Sequence, residues 1–181
     1  MTRADDVVVA GGGPAGALAA LVLARAGHRV RIFERARLPR PKLCGDTLNP
    51  SALATLATHL DLAPLRALGL PLAGMRLSGP GGAAVEGRYP DGVTGLAVTR
   101  AHLDAWLLEA AAAAGASVHD GVRVDGPIAD DGVVRGVVVA GRRHVARLVI
   151  AADGGGSRLA HACGLVRTPP APRRWALGVY A

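Results

Sequence analysis

The order of apolar and polar positions predicts a strand, a helix and a second strand at the start of the chain. Val7-Val8-Val9-Ala10 is a continuous apolar run between acidic residues and glycines, as in a strand buried on both faces of a parallel sheet. After a glycine-rich turn, the alanine- and leucine-rich residues 15–26 predict a helix that ends at Gly27. Residues 29–34 then predict the second strand, which completes a βαβ unit.

The remaining pattern predicts further helices and a series of short strands. Helical patterns occupy residues 50–68, with interruptions near Asp61 and Pro64, then residues 100–114 and, more briefly, 155–163. Strand-like segments occupy residues 72–98, 117–151 and 173–181. Within the middle segment, turns are predicted at Gly126-Pro127, Asp131-Gly132 and Gly141.

Composition identifies a globular chain with a core of small aliphatic side chains. Of 181 residues, 50% are hydrophobic but only 3% are aromatic, so alanine, valine and leucine must build the core. The net charge of +7 would suit nucleic acid. The arginines are dispersed, however, and few aromatic side chains could stack on bases, so we expect no nucleic-acid partner.

The spacing of cysteines and histidines, together with the hydropathy, argues against disulfide-rich, metal-binding and membrane-spanning proteins. Cys44 and Cys163 lie far apart, and the histidines show no metal-ligand spacing, so we expect neither a disulfide framework nor a metal site. No stretch approaches the roughly 20 apolar residues of a membrane span, and the longest apolar run lacks the basic start of a signal peptide. We therefore expect a cytoplasmic protein without a transmembrane segment, and peripheral membrane contact stays an alternative.

The segment Gly-Gly-Gly-Pro-Ala-Gly that starts at Gly11 matches G-x-G-x-x-G in its full context. It follows a predicted strand, opens a predicted helix, and is followed about 20 residues later by Glu34. Gly11 allows a tight turn, Gly13 lets a diphosphate approach the backbone, and Gly16 lets the helix pack close to the strand. Pro14 suits the first helical turn. Free amides and the helix dipole would then face the diphosphate.

Glu34 ends the second predicted strand, where its carboxylate could accept hydrogen bonds from both ribose hydroxyls of an adenosine. A carboxylate would repel a 2′-phosphate, which disfavours NADP at this site. The alternative is an ordinary glycine turn followed by a solvated glutamate. The coincidence of strand, glycines and acid at the right spacing disfavours that alternative and predicts a dinucleotide site.

Three segments match, in order, motifs that occur together in one protein family. The glycine-rich turn with Glu34-Arg35 is similar to an FAD fingerprint, and Arg100 with Leu103-Asp104 is similar to an R-x-x-(L/F)-D-x-x-L helix whose arginine contacts FAD. The segment Asp153-Gly154-Gly155-Gly156-Ser157 is similar to a D-G-x-x-S motif near the pyrophosphate. The chain thereby resembles the FAD-dependent oxidoreductases that include geranylgeranyl reductases and group A flavin monooxygenases (aromatic hydroxylases).

The resemblance implies an α/β, Rossmann-like FAD-binding domain, with a parallel sheet, a βαβ unit and a β-meander, and part of a β-rich substrate domain. It implies that residues 1–181 are an incomplete FAD-binding domain, with 72–98 and 165–181 as strands of a truncated substrate domain. Related proteins are longer and carry a G-D-A motif that does not follow Asp153, so we expect an N-terminal fragment. The cofactor-binding residues that the resemblance implies are Gly11, Gly13, Pro14, Ala15, Gly16, Glu34, Arg35, Cys44, Gly45, Arg100, Val124, Asp153 and Gly154.

The branch of the family is indicated by Lys42-Leu43-Cys44-Gly45-Asp46. This segment is similar to the K-x-C-G-G stretch of geranylgeranyl reductase-like proteins, in which the Cys-Gly backbone lies by the flavin, with Asp46 replacing the second glycine. Ala160 stands where hydroxylases tend to carry an arginine. The resemblance therefore favours reduction of an isoprenoid or similarly apolar small molecule with NAD(P)H-derived electrons. A monooxygenase and a non-catalytic FAD-binding fragment are the alternatives.

Three of the implied site residues also have simpler interpretations. Cys44 could be a small buried apolar residue or a reactive thiol rather than a flavin neighbour. Arg100 could be an ordinary helix-start residue, and Asp153 a helix cap or turn former. An NAD-dependent dehydrogenase would leave the motifs of Arg100 and Asp153 without a role. We expect no catalytic side chain, because the flavin carries the chemistry.

Overall fold

The computed structural model describes residues 4–167 and 171, which form two compact units. One unit contains the described residues up to 40 and from 104 onward, and the other contains residues 41–103. The strand predicted at 173–181 lies outside the described residues. In chain order the elements are β1 (Asp5–Ala10), α1 (Pro14–Arg25), β2 (Val30–Phe33), β3 (Thr47–Leu48), α2 (Pro50–Ala57), α3 (Ala63–Ala67), β4 (Leu70–Leu72), β5 (Gly74–Ser78), a 3₁₀ turn (Pro80–Gly82), β6 (Ala84–Arg88), β7 (Gly95–Ala97), α4 (Arg100–Ala113), β8 (Ser117–His119), β9 (Val124–Asp130), β10 (Val133–Val139), β11 (Arg142–Ala151) and α5 (Arg158–Ala162).

A six-stranded sheet with the order β8-β2-β1-β11-β10-β9 organises the first unit. The strands β8, β2, β1 and β11 are parallel to one another. The strands β11, β10 and β9 form an antiparallel meander, so the long β11 belongs to both parts of the sheet. The predicted fold class, an α/β Rossmann-like domain with a βαβ unit and a meander, is confirmed.

The βαβ unit forms because its apolar residues can be buried on both sides. Val8, Val9 and Ala10 are fully buried at the centre of the sheet, as the continuous apolar run predicts. Helix α1 packs through a stripe of small residues, and then ends where Gly27 adopts a φ of 85°. The buried residues of that stripe are Gly16, Ala17, Ala20, Leu21 and Ala24.

The turn predicted at Gly126-Pro127 is wrong, because both residues lie within β9. Pro127 has no amide hydrogen and would interrupt a central strand, but among the described strands β9 lies at the edge of the sheet and pairs only with β10. The pairing with β10 is irregular on either side of this segment, which accommodates the proline. The predicted turns at Asp131-Gly132 and Gly141 separate β9, β10 and β11 as expected.

The second unit contains the helical pattern of residues 50–68, which the structure divides into α2 and α3. The strands β3, β7 and β4 form one antiparallel sheet, and β5 and β6 form a hairpin. β3 lies outside the segments for which the sequence predicts strands. The assignment of residues 72–98 and 165–181 to a substrate domain stays a prediction, and part of the latter range lies outside the described residues. Across the described part of the chain, no helix combines the length and apolar character needed to cross a membrane.

Candidate cofactor-binding site

The glycine-rich turn connects β1 to α1 in a conformation that requires glycine. Gly11 has a φ of 102°, and an added Cβ there would clash with the carbonyl of Ala152 at the end of β11. A Cβ on Gly16 would clash with the carbonyl oxygen of Gly11. At Gly12, an added Cβ would lie 2.8 Å from a methyl carbon of Leu108 and 3.0 Å from the Cβ of Glu34. The backbone of the turn is therefore packed closely against strand ends and helix α4.

The mouth of α1, where the helix begins, presents backbone amides. Gly13 is the N-cap, with φ −75° and ψ −179°, and Pro14 is the first helical residue. Among the described residues no side chain caps this end, and the first turn contains no acidic residue. The first amides of a helix have no acceptors within it, so the exposed Ala15 and its neighbours form a site suited to an anion.

Glu34 binds the turn from the end of β2. Its side chain is buried, and its Oε2 accepts a hydrogen bond of 2.8 Å from the amide of Gly12. Its Oε1 accepts a 2.9 Å hydrogen bond from the amide of Ala36. The sequence predicted a ribose contact for this acid but not the contact with the turn. A carboxylate offers about four acceptor positions, so one on Oε2 stays available for a ribose hydroxyl.

Asp153 lies two residues after the end of β11 and next to the turn, since an added Cβ on Gly11 would be 2.9 Å from the Cα of Asp153. Its Oδ2 accepts a 2.9 Å hydrogen bond from the amide of Arg158, the first residue of α5, whose N-cap is Ser157. Its Oδ1 is buried and has no hydrogen-bond partner among the described residues. An unpaired buried oxygen of this kind costs about 1–3 kcal/mol, which a ligand donor would offset.

Arg35 and Val124 occupy different environments near the end of β2. Arg35 is exposed and lines an open depression of about 740 Å³, together with Ala36, Gly121, Val122, Arg123, Asp125 and Ala140. Val124 is buried within the core of the first unit, packed with residues such as Val8 and Phe33. A contact between Val124 and a cofactor would therefore involve its backbone, and this role stays a prediction.

Cys44, Gly45 and Arg100 lie in the second unit. Cys44 is exposed, so the interpretation of this residue as a buried apolar side chain is wrong. The backbone amide of Asp46 and, more weakly, the Arg100 guanidinium hold the pKa of the Cys44 thiol below its usual value. The FAD contact of Arg100 stays a prediction. Asp46 has a φ of 47°, which explains why related motifs have glycine at this position.

Sequence reasoning missed Arg40, which lies between Glu34 and Asp104. The Arg40 guanidinium is 3.5 Å from Glu34 through Nε and 3.0 Å from Asp104 through Nη2. One signal was available, because Asp104 falls on the apolar side of the predicted helix 100–114, where a buried acid requires a partner. The sequence offers 21 basic residues and does not show which one approaches it.

These features together fit the adenosine diphosphate half of FAD. The uncapped mouth of α1 suits the diphosphate, Glu34 suits the ribose, and the unpaired Oδ1 of Asp153 suits a further hydroxyl group of the ligand. Within the described residues, no group of three or more histidine, cysteine and acidic side chains could hold a metal ion. The glycine turn, Glu34 and Asp153 all lie in the first unit, and together they are called the dinucleotide cradle below.

Comparison with known proteins identifies the family. The family model of the FAD binding domain matches residues 4–176. The chain is 36% identical over 176 residues to a probable electron transfer flavoprotein-quinone oxidoreductase (YgcN) of Escherichia coli, covering 96% of this chain and 41% of that protein. It is 39% identical over 177 residues to a menaquinone reductase of Mycolicibacterium smegmatis, covering 90% of this chain and 40% of that protein.

A solved structure of a reductase-like protein is also similar to this chain. The crystal structure of a geranylgeranyl bacteriochlorophyll reductase-like protein from Thermoplasma acidophilum superposes with a TM-score of 0.75 at 28% identity, covering 90% of this chain and 42% of that one. The chain thus spans about two fifths of the lengths of the relatives it matches. The predicted resemblance to geranylgeranyl reductases and the predicted cofactor FAD are confirmed. This chain belongs to the FAD-binding domain family.

Proposed function

We propose that the chain holds FAD for an oxidoreductase that uses NAD(P)H-derived electrons to reduce an isoprenoid or similarly apolar small molecule. The observation that supports this most strongly is the hydrogen bond between Glu34 and the amide of Gly12. That bond fixes an acid and an uncapped helix mouth side by side, and this pairing of groups recognises a ribose and a diphosphate together.

Each residue of the cradle has a separate task in the proposal. The amides from Gly13 onward bind the diphosphate, and their helix dipole compensates its charge. The free acceptor position on Glu34 receives a ribose hydroxyl, and Arg35 lies at the edge of the adenosine. Asp153 accepts a hydrogen bond through Oδ1 and keeps the start of α5 in place through Oδ2. Bound FAD supplies the capacity to accept and pass on a hydride.

Two kinds of observation support an apolar substrate and reduction. The relatives are named for a quinone, menaquinone and a geranylgeranyl group, and the last is an isoprenoid chain. Ala160 in α5 occupies the position of the arginine that hydroxylases tend to carry. We further propose a cytoplasmic location with peripheral access to a membrane, where such substrates dissolve.

The cofactor half of the proposal is tested by titrating the purified chain with FAD, FMN and ADP. We expect FAD to bind, ADP to displace it competitively, and FMN to bind much more weakly, because FMN lacks the adenosine. Binding of FAD that ADP does not displace would contradict the cradle as described. A chain that binds none of the three would overturn the proposal.

The reaction half is tested on the same loaded protein without oxygen. NADH or NADPH should bleach the flavin absorbance, and menaquinone or a geranylgeranyl lipid should restore it with formation of the reduced product. Restoration only with oxygen, accompanied by a hydroxylated product, would favour the monooxygenase. Stable FAD binding without bleaching by either nucleotide would favour a non-catalytic FAD-binding chain.

A further inference from the structure

Arg40 forms a buried ion triad with Glu34 and Asp104. Its Nε lies 3.5 Å from Oε1 of Glu34, and its Nη2 lies 3.0 Å from Oδ2 of Asp104. The exposed fractions of the three side chains are 13% for Arg40, 5% for Glu34 and 0% for Asp104. Water therefore contributes little to the solvation of either carboxylate, and the Arg40 guanidinium is a cation within 4 Å of both.

An arginine can do this where a lysine cannot. The guanidinium is a rigid planar fork whose separate N–H groups point in different directions, whereas an ammonium is a point charge on a flexible stem. Here the fork reaches the end of β2 through Glu34 and helix α4 through Asp104. Loss of Arg40 would remove the cation that lies beside both buried acids.

The triad also restricts how the Glu34 carboxylate can rotate. Oε1 has two partners, the amide of Ala36 and Nε of Arg40, while Oε2 has the amide of Gly12. With one amide donor on each oxygen and the Arg40 cation beside Oε1, the remaining acceptor direction on Oε2 has a defined orientation. The two amides hold one oxygen each, and the Arg40 cation beside Oε1 adds an electrostatic attraction that favours this same orientation over the other values of a broad terminal torsion.

We propose that Arg40 is a positioning residue for the ribose of FAD, because it orients the Glu34 carboxylate while Asp104 holds Arg40 in place. The inference rests on the proposed function, in which Glu34 receives a ribose hydroxyl. Arg40, in the loop after β2, and Asp104, in α4, then both contribute to cofactor affinity through Glu34. A purely structural ion triad would stabilise the fold without any relation to ribose hydroxyls.

The experiment compares the binding of ADP with that of 2′,3′-dideoxy-ADP, which keeps the diphosphate but lacks both ribose hydroxyls. The wild-type chain should bind ADP about tenfold more tightly than the dideoxy ligand, as expected for a charge-assisted hydrogen bond. In Arg40→Lys, ADP binding should weaken about tenfold, whereas binding of the dideoxy ligand should change less than about twofold. Arg135→Lys is the matched control, since Arg135 is exposed on β10, and should leave both affinities unchanged.

A second variant, Asp104→Asn, removes one anchor of Arg40 while keeping the size of the side chain. It should reduce the discrimination between the two ligands severalfold, and circular dichroism should verify that each variant is folded. Equal weakening of both ligands in the two variants, or unchanged preference for ADP, would overturn the positioning role. A wild-type chain that binds ADP without preferring it over the dideoxy ligand would overturn the role of Glu34 instead, and absence of ADP binding would overturn the proposed function.

Discussion

Replacing Gly16 by alanine should weaken both the fold and FAD binding, although alanine is the better helix former. An added Cβ would lie closer than 3.0 Å to the carbonyl oxygen of Gly11 and 3.2 Å from the Cβ of Ala152. Neither neighbour can move easily. The amide of Gly11 donates a 2.8 Å hydrogen bond to Phe33, and the amide of Ala152 donates one of 2.8 Å to Ala10.

The magnitude follows from two opposing contributions. Exchange of glycine for alanine within a helix stabilises it by about 1 kcal/mol. Overpacking against rigid neighbours costs about 1–3 kcal/mol, and the clash with the Gly11 carbonyl places this position at the upper end. The free energy of unfolding should therefore fall by about 2 kcal/mol. Relief of the clash moves the start of α1 away from the turn, so FAD affinity should fall at least about tenfold.

Urea denaturation followed by circular dichroism measures the first effect, and FAD titration measures the second. Gly126→Ala is the matched control, because it lies in the same sheet and an added Cβ there meets nothing within 4 Å. The control should retain wild-type stability and affinity. If Gly16→Ala matched wild type in both measurements, the close approach of α1 to the turn would not be what requires glycine here.

Three further predictions concern other parts of the chain. Because the Asp46 amide and Arg100 lower the pKa of the Cys44 thiol, iodoacetamide should label Cys44 at a lower pH than a free thiol, and Arg100→Gln should slow labelling at neutral pH. Burial lowers the pKa of His144, so the unfolded state binds the proton first. The free energy of unfolding should therefore fall as the pH drops below about 6.5, less so in His144→Gln. Ser157→Ala removes the N-cap of α5, whose side chain accepts from the amide of Ala160, and should lower the free energy of unfolding by about 1 kcal/mol in urea denaturation.

The elements that could be predicted from sequence are those whose patterns are local. The apolar run of β1, the glycine turn and the stripe of α1 lie within one short segment, and the structure has all three. The path of residues 126–127 depended instead on where β9 lies in the sheet. A glycine-proline pair favours a turn in most contexts, but an edge strand tolerates it, and edge position is a property of the whole sheet.

The residues of the candidate site also differ in whether a local sequence pattern reveals them. The glycines and Glu34 could be found because their spacing is fixed by one βαβ unit. Arg40 could not, because its partner Asp104 is 64 positions away and the pairing exists only once the folded chain brings α4 to the residues that follow β2. The exposure of Cys44 likewise depends on the packing of the second unit, since no local pattern distinguishes an exposed cysteine from a buried one.

The contacts of Glu34 show that a dinucleotide fingerprint predicts the fold of the βαβ unit more directly than it predicts which cofactor binds. The acid binds the amide of Gly12 and extends the pairing of β2 with β8, because its own amide donates to His119. Both contacts shape the turn whichever dinucleotide binds. Selection of FAD over NAD must then come from groups outside the βαβ unit. Asp153 is such a group, because it lies outside the βαβ unit and beside the turn and its buried Oδ1 has no hydrogen-bond partner among the described residues. Asp153→Asn should therefore change the ratio of FAD affinity to NAD affinity more than it changes the conformation of the turn.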